Sequence, residues 1–192
     1  MLFRSIPYLG IPPERIDTPA STSPWPWPDS GVGRLFGYLR SDWPYLPAFV
    51  TALEATGHAS VLHVPNASPS LRDRLSSETV TIVPQPLDLA GEVDLCDVVV
   101  SHGGHALTAR ALLVGCPLLM LPTQLEQRLT ATRVAELGAG IVVADGQGRD
   151  AFDAALERVL TDGGLTERAC QFAERHGNFS LSQLESRLAE WI

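Results

Sequence analysis

The chain has 192 residues, 45% of them hydrophobic, and a formal net charge of −8. That suffices for one domain with a sizeable core, and the acidic balance disfavours a nucleic-acid partner. No apolar run reaches the length of a membrane span, and prolines at 7, 12 and 13 break any signal-peptide core behind Met1-Leu2-Phe3-Arg4. Cys96, Cys116 and Cys170 are widely spaced and odd in number. They make neither a metal pattern nor a disulfide framework, which points to a reducing cytoplasm.

Residues 1–33 are rich in proline, with Trp25 and Trp27 set between prolines. This reads as a linker, or as an arm packed on something, in preference to a docking arm for readers of Pro-rich motifs. From Arg34 to the C-terminus the pattern changes to strands alternating with helices. Arg34 to Leu39 is the first strand, 43–57 a helix closed by Gly57, and Ala59 to Val64 the second strand. A helix over 69–77 and a strand from Thr79 to Val83 follow. Leu87 to Gly91 reads as one helical turn. The next strand is 97–101, with its helix at 105–114. A strand over 117–121 and a helix over 126–137 come next, then Ile141 to Val143 as the last strand. Helices over 149–161, 164–176 and 180–191 complete the chain. Such alternation implies an α/β, Rossmann-like parallel sheet with helices on both faces, in a single domain over 34–192. Ligands of such sheets bind beyond the carboxyl ends of the strands.

The chemistry centres on Asp97-Val98-Val99-Val100-Ser101-His102-Gly103-Gly104-His105. A valine run reads as a buried strand, and two glycines let the backbone turn and a ligand approach it. The helix that follows presents unpaired N–H groups and a partial positive charge, which suit a phosphate. His102 sits where strand meets turn and can donate to the same anion. His105, at the helix start, is either a second contact for that anion or a cap facing solvent. His102 and His105 have a His-x-x-His spacing, but without a third ligand no metal site is expected. After Gly115-Cys116-Pro117 and the strand ending at Pro122, a loop delivers Glu126-Gln127 to a helix start. A carboxylate beside an amide reads vicinal hydroxyls well. Arg40 is a local source of positive potential for an anionic ligand. Asp145 and Asp150 read as loop and cap acids.

His102-Gly103-Gly104, Gly115-Cys116-Pro117, Pro122 and Glu126-Gln127, with Pro84-Gln85 upstream and Leu137-Gly138-Ala139-Gly140 downstream, resemble the donor-sugar signature of inverting nucleotide-sugar glycosyltransferases. Ile16 to Ser30 resembles the linker between the halves of these two-domain GT-B enzymes. The resemblance implies a C-terminal, donor-binding domain for a nucleoside-diphosphate sugar (UDP- or TDP-linked), with Gln85, His102, Gly103, Gly104, His105, Thr108, Glu126 and Gln127 as contacts and no metal or other cofactor. Leu107 stands where the family has a serine or threonine hydroxyl for phosphate, and Thr108 is the candidate replacement. Arg110 occupies the position of a ribose-holding glutamate. Ile82 stands where plant-type relatives stack the base on tryptophan. No catalytic residue is assigned. The family's general base belongs to the acceptor half, and His58, His63 and His176 do not resemble it. The chain is therefore expected to be a fragment or a subunit of a split enzyme, inactive alone and needing an acceptor-binding half in cis or as a separate chain. Two other readings fit the same residues: a non-catalytic nucleotide-sugar binding or regulatory subunit, and half of a sugar-nucleotide epimerase. A dehydrogenase is disfavoured, because no Gly-x-Gly-x-x-Gly follows the first strand.

Overall fold

The computed structural model describes residues 25–89 and 92–176. Six strands, β1 (Arg34–Tyr38), β2 (Ala59–His63), β3 (Val80–Val83), β4 (Val98–Ser101), β5 (Leu118–Met120) and β6 (Gly140–Val142), form one sheet in the order β3-β2-β1-β4-β5-β6. All five pairings are parallel. Every residue of β2, β4 and β5 is buried, as expected where helices cover both faces.

Alternation along the strands sorts the core into two layers. On one face Leu35, Leu62, Val100 and Leu119 pack with Phe49 and Leu53 of α1 (Leu46–Ala55) and with Phe152 and Leu156 of α5 (Arg149–Thr161). Leu75 of α2 (Pro69–Leu75) joins them. On the other face Phe36, Val61, Val99, Leu118 and Met120 meet Leu107 and Ala111 of α3 (His105–Leu113). Ala131 and Val134 of α4 (Leu125–Glu136) and Ala169 of α6 (Gly163–His176) complete this layer.

The parallel sheet and its alternating helices match the sequence reading, with two local differences. The first helix begins at Leu46 rather than 43. Trp43 instead closes a turn, its N–H donating to Arg40 O at 3.2 Å, and its ring enters the core. Leu87 to Leu89 are not helical, and the short helical turn is a 3-10 turn at Val93–Leu95. The described end of the arm packs on this domain. Trp25 is 5% exposed and lies 4.4 Å from Phe36 between ring centroids. Its indole N–H donates to Asp88 O at 2.8 Å, and that of Trp27 donates to Glu92 at 3.1 Å. The helix expected over 180–191 and the arm before Trp25 lie outside the described residues.

Candidate functional site

The chain leaves β1 toward β2 and leaves β4 toward β5, so the loops after these two neighbouring strands diverge. Such a switch point opens a crevice at the carboxyl edge of the sheet. Leu39 to Tyr45 line one side and His102 to Gly104 the other. Helix α3 starts there, and its first backbone bond runs from Thr108 N to Gly104 O at 3.1 Å. The N–H groups of His105, Ala106 and Leu107 precede that bond and point out of the helix end. No side chain caps this terminus.

The two glycines differ. Gly103 has φ +94°, and a Cβ there would meet Gln127 O at 3.0 Å and Met120 Cε at 3.3 Å. The close approach of α4 therefore dictates this glycine, and it joins the Gly-Gly and Glu-Gln motifs physically. Gly104 has φ −61° and ψ 135°, which any residue adopts, and a Cβ there would meet nothing within 4 Å. Nothing among the described residues requires a glycine at 104. Its missing side chain leaves open space directly over the helix N-terminus.

His102 is 3% exposed. Its Nδ1 lies 2.7 Å from Leu121 O, and its Nε2 accepts the Arg40 N–H at 3.1 Å. A carbonyl only accepts and a backbone N–H only donates, so this network assigns the proton to Nδ1. Burial pushes the imidazole pKa below its ordinary value, which keeps the ring neutral. The Trp43 ring packs edge-on against it at 5.2 Å. The direct donation to an anion expected from sequence is therefore not available from this ring: it has no free N–H. His102 instead ties together the loops after β1, β4 and β5. Thr108 likewise does not replace the missing hydroxyl. It is buried, and its Oγ1 donates to Gly104 O at 2.8 Å.

His105 is exposed on the first turn of α3, and Glu126 is exposed on the first turn of α4. Gln127 is half-buried, and its Oε1 accepts Thr123 N at 2.9 Å, Thr123 Oγ1 at 3.1 Å and Gln124 N at 3.2 Å. The amide thus shapes the loop that carries Glu126 and keeps its NH₂ group for other partners. Gln85 is exposed just past β3. From β3 to β4 there are three strand spacings, about 14 Å. The predicted residues therefore lie along one edge in the order Gln85, His102 to His105, Glu126 and Gln127, rather than around one point.

Two features escaped the sequence reading. Arg40 grips Asp42 through two bonds, Nε to Oδ1 at 2.9 Å and Nη2 to Oδ2 at 2.6 Å. The guanidinium holds the Asp42 carboxyl below its ordinary pKa. This pair, with Trp43, Pro44, Tyr45, Thr123 and Asp145, lines a cleft of about 300 Å³ beside the crevice. Asp145 thus borders a cleft, although sequence gave it no chemistry. Arg110, at the ribose-glutamate position, forms an ion pair with Asp94 of the 3-10 turn.

Residues 51–179 match the model of the family described as "Erythromycin biosynthesis protein CIII-like, C-terminal domain". The chain belongs to this family. It is a glycosyltransferase C-terminal domain of GT-B type, and neither the regulatory-subunit nor the epimerase reading is favoured. NDP-glycosyltransferase YjiC of Bacillus subtilis (strain 168) is 45% identical over 49 residues, covering 26% of this chain and 12% of that protein. The structure of spinosyn forosaminyltransferase SpnP superposes with a TM-score of 0.70 at 16% identity, over 83% of this chain and 44% of that one. Spinosyn rhamnosyltransferase SpnG complexed with thymidine diphosphate gives a TM-score of 0.61 at 27% identity, over 74% of this chain and 41% of that one. The domain therefore spans less than half the length of these relatives. Among its described residues no helix is long and apolar enough to cross a membrane.

Proposed function

We propose that this domain holds the nucleoside-diphosphate sugar for an inverting hexosyltransferase whose acceptor-binding half lies in cis or in a separate chain. The observation that carries the reading is Gly104, an unforced glycine with open space over an uncapped helix N-terminus. A diphosphate placed there receives the N–H groups of His105 to Leu107 and the positive end of the α3 dipole. Those groups stabilise the charge that builds on the leaving diphosphate as the glycosidic bond breaks. On one side Gln85 and the loop after β3 border the nucleoside. On the other, Glu126 accepts sugar hydroxyls, and the free NH₂ of Gln127 donates to them. His102 acts as a positioning residue that fixes Arg40 and the β5 loop around the diphosphate. The bound thymidine diphosphate of SpnG, a relative with 27% identity, supports a thymidine or uridine donor here. The free cysteines support a cytoplasmic setting.

Calorimetric titration of the 192-residue chain with UDP, TDP and their sugar conjugates tests the reading. Saturable binding of the diphosphates, and its loss in Gly104→Val with the fold intact, is the expected result. Glu126→Ala should weaken the sugar conjugates and spare the free diphosphates. Equal losses for both ligand classes in Glu126→Ala would refute the sugar assignment.

A further inference from the structure

The amino edge of the sheet, opposite the crevice, holds a cleft of about 420 Å³. The length of β4, about 13 Å of extended chain, separates the two edges. Val98 and Pro117 line the cleft where β4 and β5 begin, with Val32 and Gly33 on one side and Val159, Leu160 and Thr166 on the other. Three helices run out at this edge: α1 at Ala55, shortly before His58; α3 at Leu113, shortly before Gly115; and α5 at Thr161, directly after Leu160. The last carbonyls of a helix lack intrahelical partners and carry partial negative charge. No basic residue stands in the last turn of α1. Those of α3 and α5 are already paired, Arg110 with Asp94 and Arg158 with Asp162.

The lining side chains add acceptors. Asp97 Oδ2 accepts the Arg34 N–H at 2.7 Å, and a Cβ on Gly33 would stand 2.5 Å from the same oxygen. Asp97 is exposed, and its Oδ1 has no partner among the described residues. His58 Nδ1 lies 3.2 Å from Thr56 O. A carbonyl only accepts, so the proton of the neutral ring is assigned to Nδ1 and Nε2 keeps a lone pair. Cys96 gives its thiol to Glu92 O at 3.4 Å. The start of α6 would offer N–H donors, but Asp162 takes them: its Oδ1 accepts from Gly164 N at 3.1 Å, and its carbonyl from Leu165 N at 3.0 Å. The Thr166 hydroxyl can donate, and it accepts equally well. The cleft is therefore negative and rich in acceptors. Its apolar walls are Val159, Leu160 and Val32, the last 65% exposed.

We propose that this cleft binds a small aliphatic ammonium ion, whose charged head donates to Asp97 Oδ1 and whose carbon chain covers Val32 and Leu160. An ammonium group has three donors and no acceptor, so it opposes none of the lone pairs that line the cleft. Its charge also meets the negative ends of α3 and α5. Among the described residues no three metal-ligating side chains come together, so the lining suits an organic cation and not a metal ion. The volume falls within the range of small-molecule sites. This site lies at the opposite edge from the crevice and stands independently of the nucleotide reading.

The test is an NMR titration of the 192-residue chain with n-butylammonium, 1-butanol and butyrate at constant ionic strength. Butylammonium is expected to give saturable shifts at the amides of Val32, Gly33, Asp97 and Thr166. One charge-assisted hydrogen bond corresponds to roughly tenfold or more in affinity. Butanol should bind more weakly by about that factor, and butyrate should leave the cleft unperturbed. Asp97→Asn keeps an oxygen for the Arg34 N–H and should weaken butylammonium by the same factor. Thr166→Lys sets a tethered ammonium at the mouth of the cleft and should abolish binding of the free one. Equal responses to the three probes, no saturable response to butylammonium, or shifts confined to residues outside the cleft each overturn the proposal. So does unchanged butylammonium affinity in either variant. If Asp97→Asn does not fold, the three-probe comparison on the wild-type chain and the Thr166→Lys titration decide.

Discussion

Gly103 and Gly104 are adjacent, yet they are glycine for different reasons, and the two can be separated experimentally. Gly103→Ala forces a Cβ against the Gln127 carbonyl and Met120 at a positive φ. It should destabilise the chain by about 1–3 kcal/mol, read as a drop in the urea midpoint. Gly104→Ala should stay within about 0.5 kcal/mol of wild type, because its backbone is ordinary and its surroundings are open. A loss of stability in Gly104→Ala matching that of Gly103→Ala would show that the open space is not reserved for a ligand. His102 and His63 bear on pH. Burial lowers both imidazole pKa values below the ordinary 6.5. The unfolded chain then binds more protons than the folded one below that value, so stability is full above about pH 6.5 and falls as the solution is acidified. Melting curves between pH 7.5 and 5 should show this decline, and His102→Gln should flatten it. The glycines were legible in the sequence because glycine is a conspicuous signal. The locked ring of His102 was not, since its partners are backbone groups of residues 62 and 19 positions away. No residue pattern records such bonds.

Among the elements, the start of α4 shows how a motif residue can carry structure. Gln127 reaches back to Thr123 and Gln124, where it accepts N–H groups that the helix cannot satisfy internally. Gln127→Ala should therefore cost about 1 kcal/mol of stability, within the usual range for a lost helix cap. Gln127→Glu keeps the acceptor and should stay near wild type in a denaturant titration. Equal destabilisation in both variants would mean that Oε1 is not the working atom. The strands were legible for a simple reason: apolar runs such as Val98-Val99-Val100 have no amphipathic alternative when helices cover both faces. Helix starts were harder to place. Trp43 and Pro44 look compatible with a first helical turn, but burying the Trp43 ring against Phe49, Phe152 and His102 pulls the backbone into a turn instead. The 3-10 turn at Val93–Leu95 falls later than the sequence suggested, because Val93 is the residue that reaches the core.

For the whole molecule, the carboxyl edge of the sheet runs from the loop after β3 to the loop after β5, with a cleft between the loops after β1 and β5. A chain with these parts can hold a donor, but transfer needs more. The acceptor hydroxyl must approach the anomeric carbon from the side opposite the diphosphate, with a base about 3 Å from its proton. At this edge, the lone pair of His102 Nε2 is engaged by the Arg40 N–H, and Asp42 is engaged by the Arg40 guanidinium. Neither is free to take that proton. The stretch matched here covers 44% of SpnP and 41% of SpnG, so each of those relatives has more than half its length outside this domain. Without a base and without positioning of the acceptor, several orders of magnitude in rate are forfeited. The chain alone is therefore expected to form no glycoside from UDP- or TDP-sugars with a panel of hydroxyl acceptors, apart from slow donor hydrolysis by water entering the open edge. Co-expression with an acceptor-binding half, separate or fused ahead of the Trp25 segment, should restore transfer with inversion at the anomeric carbon. Mass spectrometry of the products and NMR of the new linkage would read both outcomes. Efficient transfer by the chain alone would show that a base within these 192 residues does the work. The exposed Glu126 and His105 would then be the first side chains to replace.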